Sequence, residues 1–430
     1  LSTQVGGLSL GNNRGTSDDA GLVKTTVFSG NVATAVRVFA KIQDSEVTTT
    51  SDVLVVTTGL PDQNSVSLSV SGGFVIENGF TVDGITRQIT VRMADKFNNP
   101  VPDGTSAIFA TEYGAIEGSC TLSGGGCSVT WTSQNPRLPT FSDAIKTIRD
   151  SSYRCPSHSA PSGPCPDDLG GIRGGRSTIA VTALGEETFV DQNGNGLYDE
   201  GEPFQNLPEA FIDHNEDGVY TKDVGANCPN PPTSTEDCEA GGFEEVFLDL
   251  NDNGIYDLND NPAVYNGSLC PPEGDGVFCS RDLVAVSAQT VVILSADPDW
   301  DIGVFNGRSA TTSTTSGRSY NVYVSDVFNN KPPADSAVKV EAEAPCTIEG
   351  QTDFTVPNTT STGAFAFSFT QGGEVEYDSC TDPNPDLTGT LTITLTPNGG
   401  GPDYSETLTC RARAINTAPD PLCPEDDAGG

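Results

Sequence analysis

Three stretches hold the residues best suited to chemistry: "ETFVDQNGNGLYDEGE" from Glu187, "EAFIDHNEDGVYTKDV" from Glu209 and "EVFLDLNDNGIYDLND" from Glu245. Each runs Glu, any residue, Phe, any residue, Asp, any residue, Asn, any residue, Asn or Asp, Gly, an aliphatic residue, Tyr. Ca²⁺ takes a cage of hard oxygens from a tight loop, with side chains at positions one, three and five, a glycine at six, a carbonyl at seven and acids at nine and twelve. The first stretch supplies Asp191, Asn193, Asn195, Gly196, the Leu197 carbonyl, Asp199 and Glu202, which matches that pattern in full. The third supplies Asp249, Asn251, Asn253, Gly254, the Ile255 carbonyl, Asp257 and, as a shorter acid at position twelve, Asp260. The second has Asp213, Asn215, Asp217, Gly218 and the Val219 carbonyl, but Thr221 stands at nine, Val224 at twelve, and Asp223 one residue early. This second loop needs an outside ligand, for which Glu209, Glu216 and the carboxylates of a neighbouring loop are the candidates. Asn, Asp and Gly are good turn formers, so one such loop would say little. Three in a single register point to calcium.

The flanks decide what kind of calcium loop this is. A helix–loop–helix sensor needs amphipathic helices on both sides, whereas these loops follow "ETFV", "EAFI" and "EVFL" and run on into Pro and Gly, which are β-type flanks. Structural occupancy at extracellular calcium levels is expected, with affinities of about 10⁻⁴ to 10⁻³ M. Between residues 186 and 260 there are 20 acids and a single base, Lys222. Such a segment repels itself, and bound cations would offset that repulsion. "ADPDWD" at 296–301 lacks the glycine turn and reads as an acidic linker.

Signals for catalysis are missing. The two histidines, His158 and His214, sit in a Cys-Pro-Ser loop and in the second calcium stretch, with no nucleophile in a shared motif. No Gly-x-Ser-x-Gly elbow, His-Glu-x-x-His helix or phosphate-binding glycine loop occurs. Among 59 acids some carboxylate pair always lies at a glycosidase-like separation, so that signal carries nothing. A non-enzyme is expected, with Trp131 and Trp300 serving packing.

The elements that must position the loops follow from composition and patterning. The chain has 430 residues, 59 acidic and 21 basic side chains, a formal charge of −38, 47 Gly and 29 Pro. That charge disfavours nucleic acid and anionic membrane as partners. Short alternating runs rich in Thr, Ser and Val between turn signals predict an all-β protein of several domains. No apolar run reaches membrane-spanning length, and "LSTQVGGLSL" lacks the features of a signal peptide, so the chain is expected to be a mature form or a fragment. The twelve cysteines fall mostly in close couples without Cys-x-x-Cys spacing, which predicts disulfides in an oxidising compartment. The expected bonds are Cys120 with Cys127, Cys155 with Cys165, Cys228 with Cys238 and Cys270 with Cys279. Cys346, Cys380, Cys410 and Cys423 allow three pairings, of which Cys346 with Cys380 and Cys410 with Cys423 is favoured by proximity.

An internal repeat relates "ITVRMADKFNNPVPDGTSAIFATEYGAIEG" at 89–118 to "YNVYVSDVFNNKPPADSAVKVEAEAPCTIEG" at 320–350, and a partial copy begins at Thr3, which matches Thr111. With its "DKFNNPVPDGT" turn, the glycine-rich hairpin before "CSVTWTS" and the closing strand leading to "TGLPDQ", the chain resembles the bacterial immunoglobulin-like repeats of the invasin and intimin type. The resemblance covers nearly all of the chain outside two insertions. It implies tandem immunoglobulin-like β-sandwich domains on a bacterial surface, used as stalk, adhesin or passenger segment, with no catalysis. The leading expectation is a stalk, adhesin segment or filament subunit; a ligand-binding adhesin and an accessory module of a secreted enzyme are the alternatives. The expected domains are 1–59, the C-terminal half of a sandwich; 60–295, a sandwich with insertions at 136–176 and 185–280; 296–416, a normal sandwich; and a Pro- and acid-rich tail at 417–430. The first lacks about forty-five residues of its repeat, to be supplied upstream or by strands of another chain. The large insertion replaces the last hairpin of the second sandwich, which places it against the first domain's junction, near "TGLPDQNS", with the smaller one at the opposite pole. Expected partners are calcium, further copies of the chain, or a cell-surface glycan or protein ligand.

Overall fold

The computed structural model of the chain describes residues 1–4, 7–29, 34–56, 59–135, 175–214, 216, 218–220, 245–249, 252–256, 264–295, 300–307, 309–326, 330–361, 363–379 and 384–417. Within these the chain is all-β, with no α-helix and thus none long and apolar enough to cross a membrane. Two sandwiches account for most of it, each with its own core.

The sandwich in the middle of the chain pairs a five-stranded sheet with a four-stranded one. In the first, the strands lie in the order Ser119–Thr121, Ser106–Thr111, Arg176–Gly185, Val284–Leu294 and Val75–Ile76; in the second, Ala115–Ile116, Gly126–Thr132, Thr86–Met93 and Val66–Val70. Alternating inward residues such as Ile89, Val91, Val129, Trp131, Ile179 and Val181 interdigitate between the sheets, as the period-two pattern predicts. Trp131 is fully buried, and its Nε1 donates to Thr111 Oγ1 at 3.1 Å and to the Tyr113 carbonyl at 2.9 Å.

The sandwich nearer the C-terminus repeats this topology. One sheet runs Asp353–Thr355, Ala337–Ala342, Thr388–Thr396, Tyr404–Arg411 and Ser313–Thr315; the other runs Thr347–Glu349, Phe365–Gly372, Arg318–Ser325, Asp301–Asn306 and Ser309–Ala310. In both sandwiches the last long strand also pairs in parallel with a short early one, Val284–Leu294 with Val75–Ile76 and Tyr404–Arg411 with Ser313–Thr315. The repeat seen in the sequence is therefore a repeat of strand order. Trp300 packs in the second core.

Residues 1–56 form three two-stranded pairs: Ser9–Leu10 with Val27–Phe28, Thr34–Val36 with Leu54–Val56, and Phe39–Lys41 with Thr48–Thr50. Leu22, Phe28, Phe39, Ile42 and Val47 are exposed, so the described residues of this segment close no sandwich core.

Three disulfides lie within the described residues. Cys120–Cys127 and Cys270–Cys279 pair as expected. The expected pairing of Cys346 with Cys380 and Cys410 with Cys423 is corrected, because Cys346 bonds Cys410 across 64 residues of sequence. Proximity along the chain misleads here. Cys346 precedes an edge strand of one sheet and Cys410 ends a strand of the other, and packing face to face brings them together in the core. Cys155, Cys165, Cys228, Cys238, Cys380 and Cys423 lie outside the described residues.

Candidate metal centre

The insertion leaves the middle sandwich at Gly185. A Cβ there would stand 2.3 Å from the Pro61 carbonyl oxygen and 2.7 Å from Val286 Cγ1, so only glycine lets the insertion pass this close to the incoming chain. Glu186 N then donates to the Pro61 carbonyl, and Gln63 N to the Glu186 carbonyl. The root of the insertion thus lies against the linker from the first segment.

The first loop is described in full and folds around its leading aspartate. Asp191 Oδ1 accepts from Gly194 N at 2.6 Å and Asp191 Oδ2 from Gly196 N at 2.8 Å. Asn193 Nδ2 and Asn195 Nδ2 both donate to Asp199 Oδ2 at 2.7 Å, so positions three, five and nine converge on one point. Glu202 folds back, its Oε1 accepting from Gln192 N at 2.7 Å and its Oε2 from Asp199 N at 3.1 Å. The Leu197 amide closes the turn onto Asn195 Oδ1 at 2.7 Å.

The other loops share this geometry where they are described. Gly218 N donates to Asp213 Oδ2 and Gly254 N to Asp249 Oδ2, each at 2.7 Å, the counterparts of the Gly196–Asp191 bond. Position six is left-handed in all three, at Gly196, Gly218 and Gly254, and so is position four, at Gly194, Glu216 and Asp252. Ile255 N donates to Asn253 Oδ1 at 2.7 Å, as Leu197 N does to Asn195. Val219 and Ile255 are exposed. Asn215, Asp217, Asp223, Asn251, Asp257 and Asp260 lie outside the described residues.

The residue types fit a calcium ion in their chemistry, since one short loop carries carboxylate, amide and carbonyl oxygens. Among the described residues no three His, Cys, Asp or Glu side chains form a metal-holding group. In the first loop Asn193 and Asn195 turn their Nδ2 atoms to Asp199, while their Oδ1 atoms accept from Asn195 N and Leu197 N.

The Glu and the aromatics of the frame are explained by packing. Glu187 is buried, its Oε1 accepting from Leu207 N at 2.9 Å and its Oε2 from Asn266 N at 2.8 Å. Beside it, Glu186 Oε2 accepts from Ser268 N at 3.0 Å and Ser268 Oγ at 2.7 Å. A buried carboxylate needs such donors, and backbone amides provide them. Glu209 and Glu245 are buried like Glu187. Phe and Tyr of each frame build small cores. In one, Phe189 meets Tyr198 edge-on at 5.5 Å and Tyr198 stacks on Tyr265 at 4.6 Å, with Phe204, Leu269 and the Cys270–Cys279 disulfide around them. In the other, Phe211 and Phe247 form an antiparallel bridge and Tyr220 stacks on Tyr256 at 3.8 Å. The second and third loops thus form a pair. The first pairs instead with Phe204 and Tyr265, which stand where a sister loop's aromatics would be.

Positive charge enters from the sandwich. Lys96 of the "DKFNN" turn donates to the Phe189 carbonyl and lies 3.6 Å from the centroid of the Phe189 ring. Burial pulls its ammonium below the usual lysine range, and Asp62, Asp191, Glu186 and Glu202 push it back up. Arg176 grips Glu216, Nε to Oε1 at 2.6 Å and Nη2 to Oε2 at 2.7 Å. Glu216 is thereby directed to Arg176 rather than to the second loop as its outside ligand. His214 Nδ1 stands 3.6 Å from Glu245 Oε1, inside the insertion. Under this loop, burial drives the Glu112 carboxyl up to about 8, with Glu216 and Glu245 adding to the rise and the Thr178 amide opposing it.

The insertion is expected against the junction with the first domain; its root lies there, and its described residues also extend beyond it. Beyond its root, its described residues around Phe211 and Asp213 lie along the outer face of the five-stranded sheet. Gln289 exchanges bonds with Phe211 and Asp213, Thr178 Oγ1 donates to the Asp213 carbonyl at 2.8 Å, and Arg176 marks the far end. The paired register runs over ten residue pairs from Arg176 to Gly185 inclusive, a span of about 30 Å. Burial records the cover: every residue from Arg176 to Val181 is buried, whereas the equivalent strand Thr388–Thr396 alternates.

Sequence reasoning overlooked Lys96, Arg176 and the amide-binding role of Glu187. The constant Glu, Phe and Tyr of the frame, which no calcium loop requires, were the available signal.

No family model matches the chain, and no curated protein matches it in sequence. Among solved structures it is similar to the adhesin InvE of Yersinia pseudotuberculosis, at 10% identity and a TM-score of 0.21 over 82% of this chain and 60% of that one. It is similar to the D0-D1 domain of intimin at 8% identity and a TM-score of 0.19, over 80% of this chain and 97% of that one. It also matches an alpha-2-macroglobulin of Escherichia coli activated by porcine elastase, at 8% identity and a TM-score of 0.18, over 91% of this chain and 25% of that one. The chain therefore spans less than two thirds of the InvE structure. Scores of this size carry no argument about role, and the β-sandwich assignment rests on the strand orders above.

Proposed function

We propose that this chain is an extracellular structural segment of a bacterial surface, built of immunoglobulin-like domains and stiffened by disulfides and by calcium held in the insertion. The observation that carries the reading is the common backbone of the three loops, with left-handed residues at positions four and six and a glycine amide bound to the leading aspartate. Asp191, Asn193, Asn195, the Leu197 carbonyl, Asp199 and Glu202 would hold one ion, with the Asp213 and Asp249 loops holding others. A bound ion supplies positive charge that neutralises the loop carboxylates. The chain's own residues do the rest: the frame glutamates anchor the strands, the aromatics form the small cores, and Lys96 and Arg176 fasten the insertion to the sandwich. The disulfides support an extracytoplasmic setting.

A calcium titration paired with chelator tests this reading. Saturable binding, together with a compact rod and no retention on glycan or host-protein surfaces, supports a stalk or filament segment. Retention lost on mutation of the insertion would replace it with the ligand-binding adhesin, and hydrolysis by the purified chain would overturn the non-enzyme reading.

A further inference from the structure

Arg176 belongs to the middle sandwich, yet it touches both the insertion and the C-terminal sandwich. It is 4% exposed. Besides its paired bonds to Glu216, its Nη2 donates to the backbone carbonyl of Thr360 at 2.5 Å. Thr360 lies between the strands Asp353–Thr355 and Phe365–Gly372 of the other sandwich. Two residues earlier, Asn358 Oδ1 accepts from Phe74 N at 3.2 Å, a second polar tie across the same junction. Glu216 occupies position four of the second loop with φ of +59°, and its side chain is spent on Arg176 rather than on a ligand position. The loop is pinned again through Thr178 and the Asp213 carbonyl.

We propose that the insertion is a splint across the middle domain, and that its far end, through Glu216 and Arg176, sets the rigidity of the junction with the C-terminal sandwich. Two ends make the splint. The root binds Pro61 and Gln63 at the entry linker, and Glu216 reaches the exit junction about 30 Å away along the sheet. Domains in one chain move relative to each other by default unless something holds them. A buried guanidinium that loses its carboxylate is left costly and seeks water, so release of Glu216 also releases Thr360. Control of this hold rests on the calcium reading: without an ion, the carboxylates around Asp213 repel and the loop that presents Glu216 loosens.

The test uses the full chain with fluorescent labels placed by unnatural amino acids at the exposed Ser67 and Ser405, and reads the distance distribution between the two sandwiches. Calcium stoichiometry is measured in parallel. In calcium the wild type is expected to give a narrow distribution that widens in chelator, as for domains set free to move. Glu216→Gln in calcium is expected to widen it likewise while binding as many ions as the wild type, and Asn358→Ala to widen it further. If calcium binds but neither chelator nor Glu216→Gln changes the width, the splint is refuted while the calcium reading stands. If no calcium binds but Glu216→Gln widens the distribution, the strut stands and its control by the ion falls.

Discussion

Tyr220 stacks on Tyr256 with ring centroids 3.8 Å apart and planes 13° from parallel, joining the second and third loops through their eighth positions. Phe211 and Phe247 close on the same stack from their edges. An aromatic pair of this kind contributes about 0.5–1.5 kcal/mol beyond its buried area. Tyr256→Ala is therefore predicted to weaken calcium binding at both of these loops by about three- to tenfold and to leave the first loop unchanged. A site-resolved titration by NMR reads this directly. Equal weakening at all three loops would show that the pairing does not couple them.

Gly185→Ala places a methyl against the Pro61 carbonyl oxygen and Val286. Neither neighbour is the free end of a flexible chain, so the root of the insertion must shift, at a cost of about 1–3 kcal/mol. Thermal unfolding should show the loss, and protease cleavage at the 59–65 linker should rise. Wild-type resistance in the variant would remove the root contact from the account.

The Cys346–Cys410 bond closes a loop of 64 residues and the Cys120–Cys127 bond one of 7. Loop-closure entropy ranks the first at about 4 kcal/mol and the second at about 2.5 kcal/mol. Serine replacement of both partners should follow that order in denaturant titrations of the C-terminal and middle sandwiches. Peptide mapping that recovered Cys346 joined to Cys380 would contradict the connectivity itself.

Burial holds the Glu112 carboxyl at about 8 against an ordinary value of 4.5, so the folded chain keeps a proton there that the unfolded chain releases. The stability this group contributes is full below about 4.5 and is lost as pH rises through about 8. Glu112→Gln, which carries a neutral amide at every pH, is predicted to flatten that decline. Parallel unfolding curves at pH 5, 7 and 9 compare the two across the window in which the decline falls. An unchanged slope in the variant would mean that Glu112 is not the titrating group.

Much of the architecture was legible because local patterns report it. Alternation marked the strands, the copy at 320–350 revealed a repeated strand order, and three loops in one register exposed the insertion. Contacts made by folding were not legible. Nothing along the chain links Cys346 to Cys410, Lys96 to Phe189 or Arg176 to Glu216, since each pair meets only after sheets and insertion have packed. The insertion's course had the same cause: its root follows from strand matching, but its path along the sheet depends on Gln289, Thr178 and Arg176. The frame glutamates were visible in the sequence. Their work of holding backbone amides becomes evident only when Leu207 and Asn266 arrive at Glu187.

The central claim is that calcium organises residues 185–280 into a structural splint. Limited proteolysis of the full chain with calcium and with chelator, alongside metal analysis of the dialysed protein, tests it most directly. The account predicts bound calcium, cleavage confined to 185–280 when calcium is removed, and a C-terminal sandwich that stays resistant throughout. Identical cleavage in both conditions, or protein that retains no calcium, would contradict it.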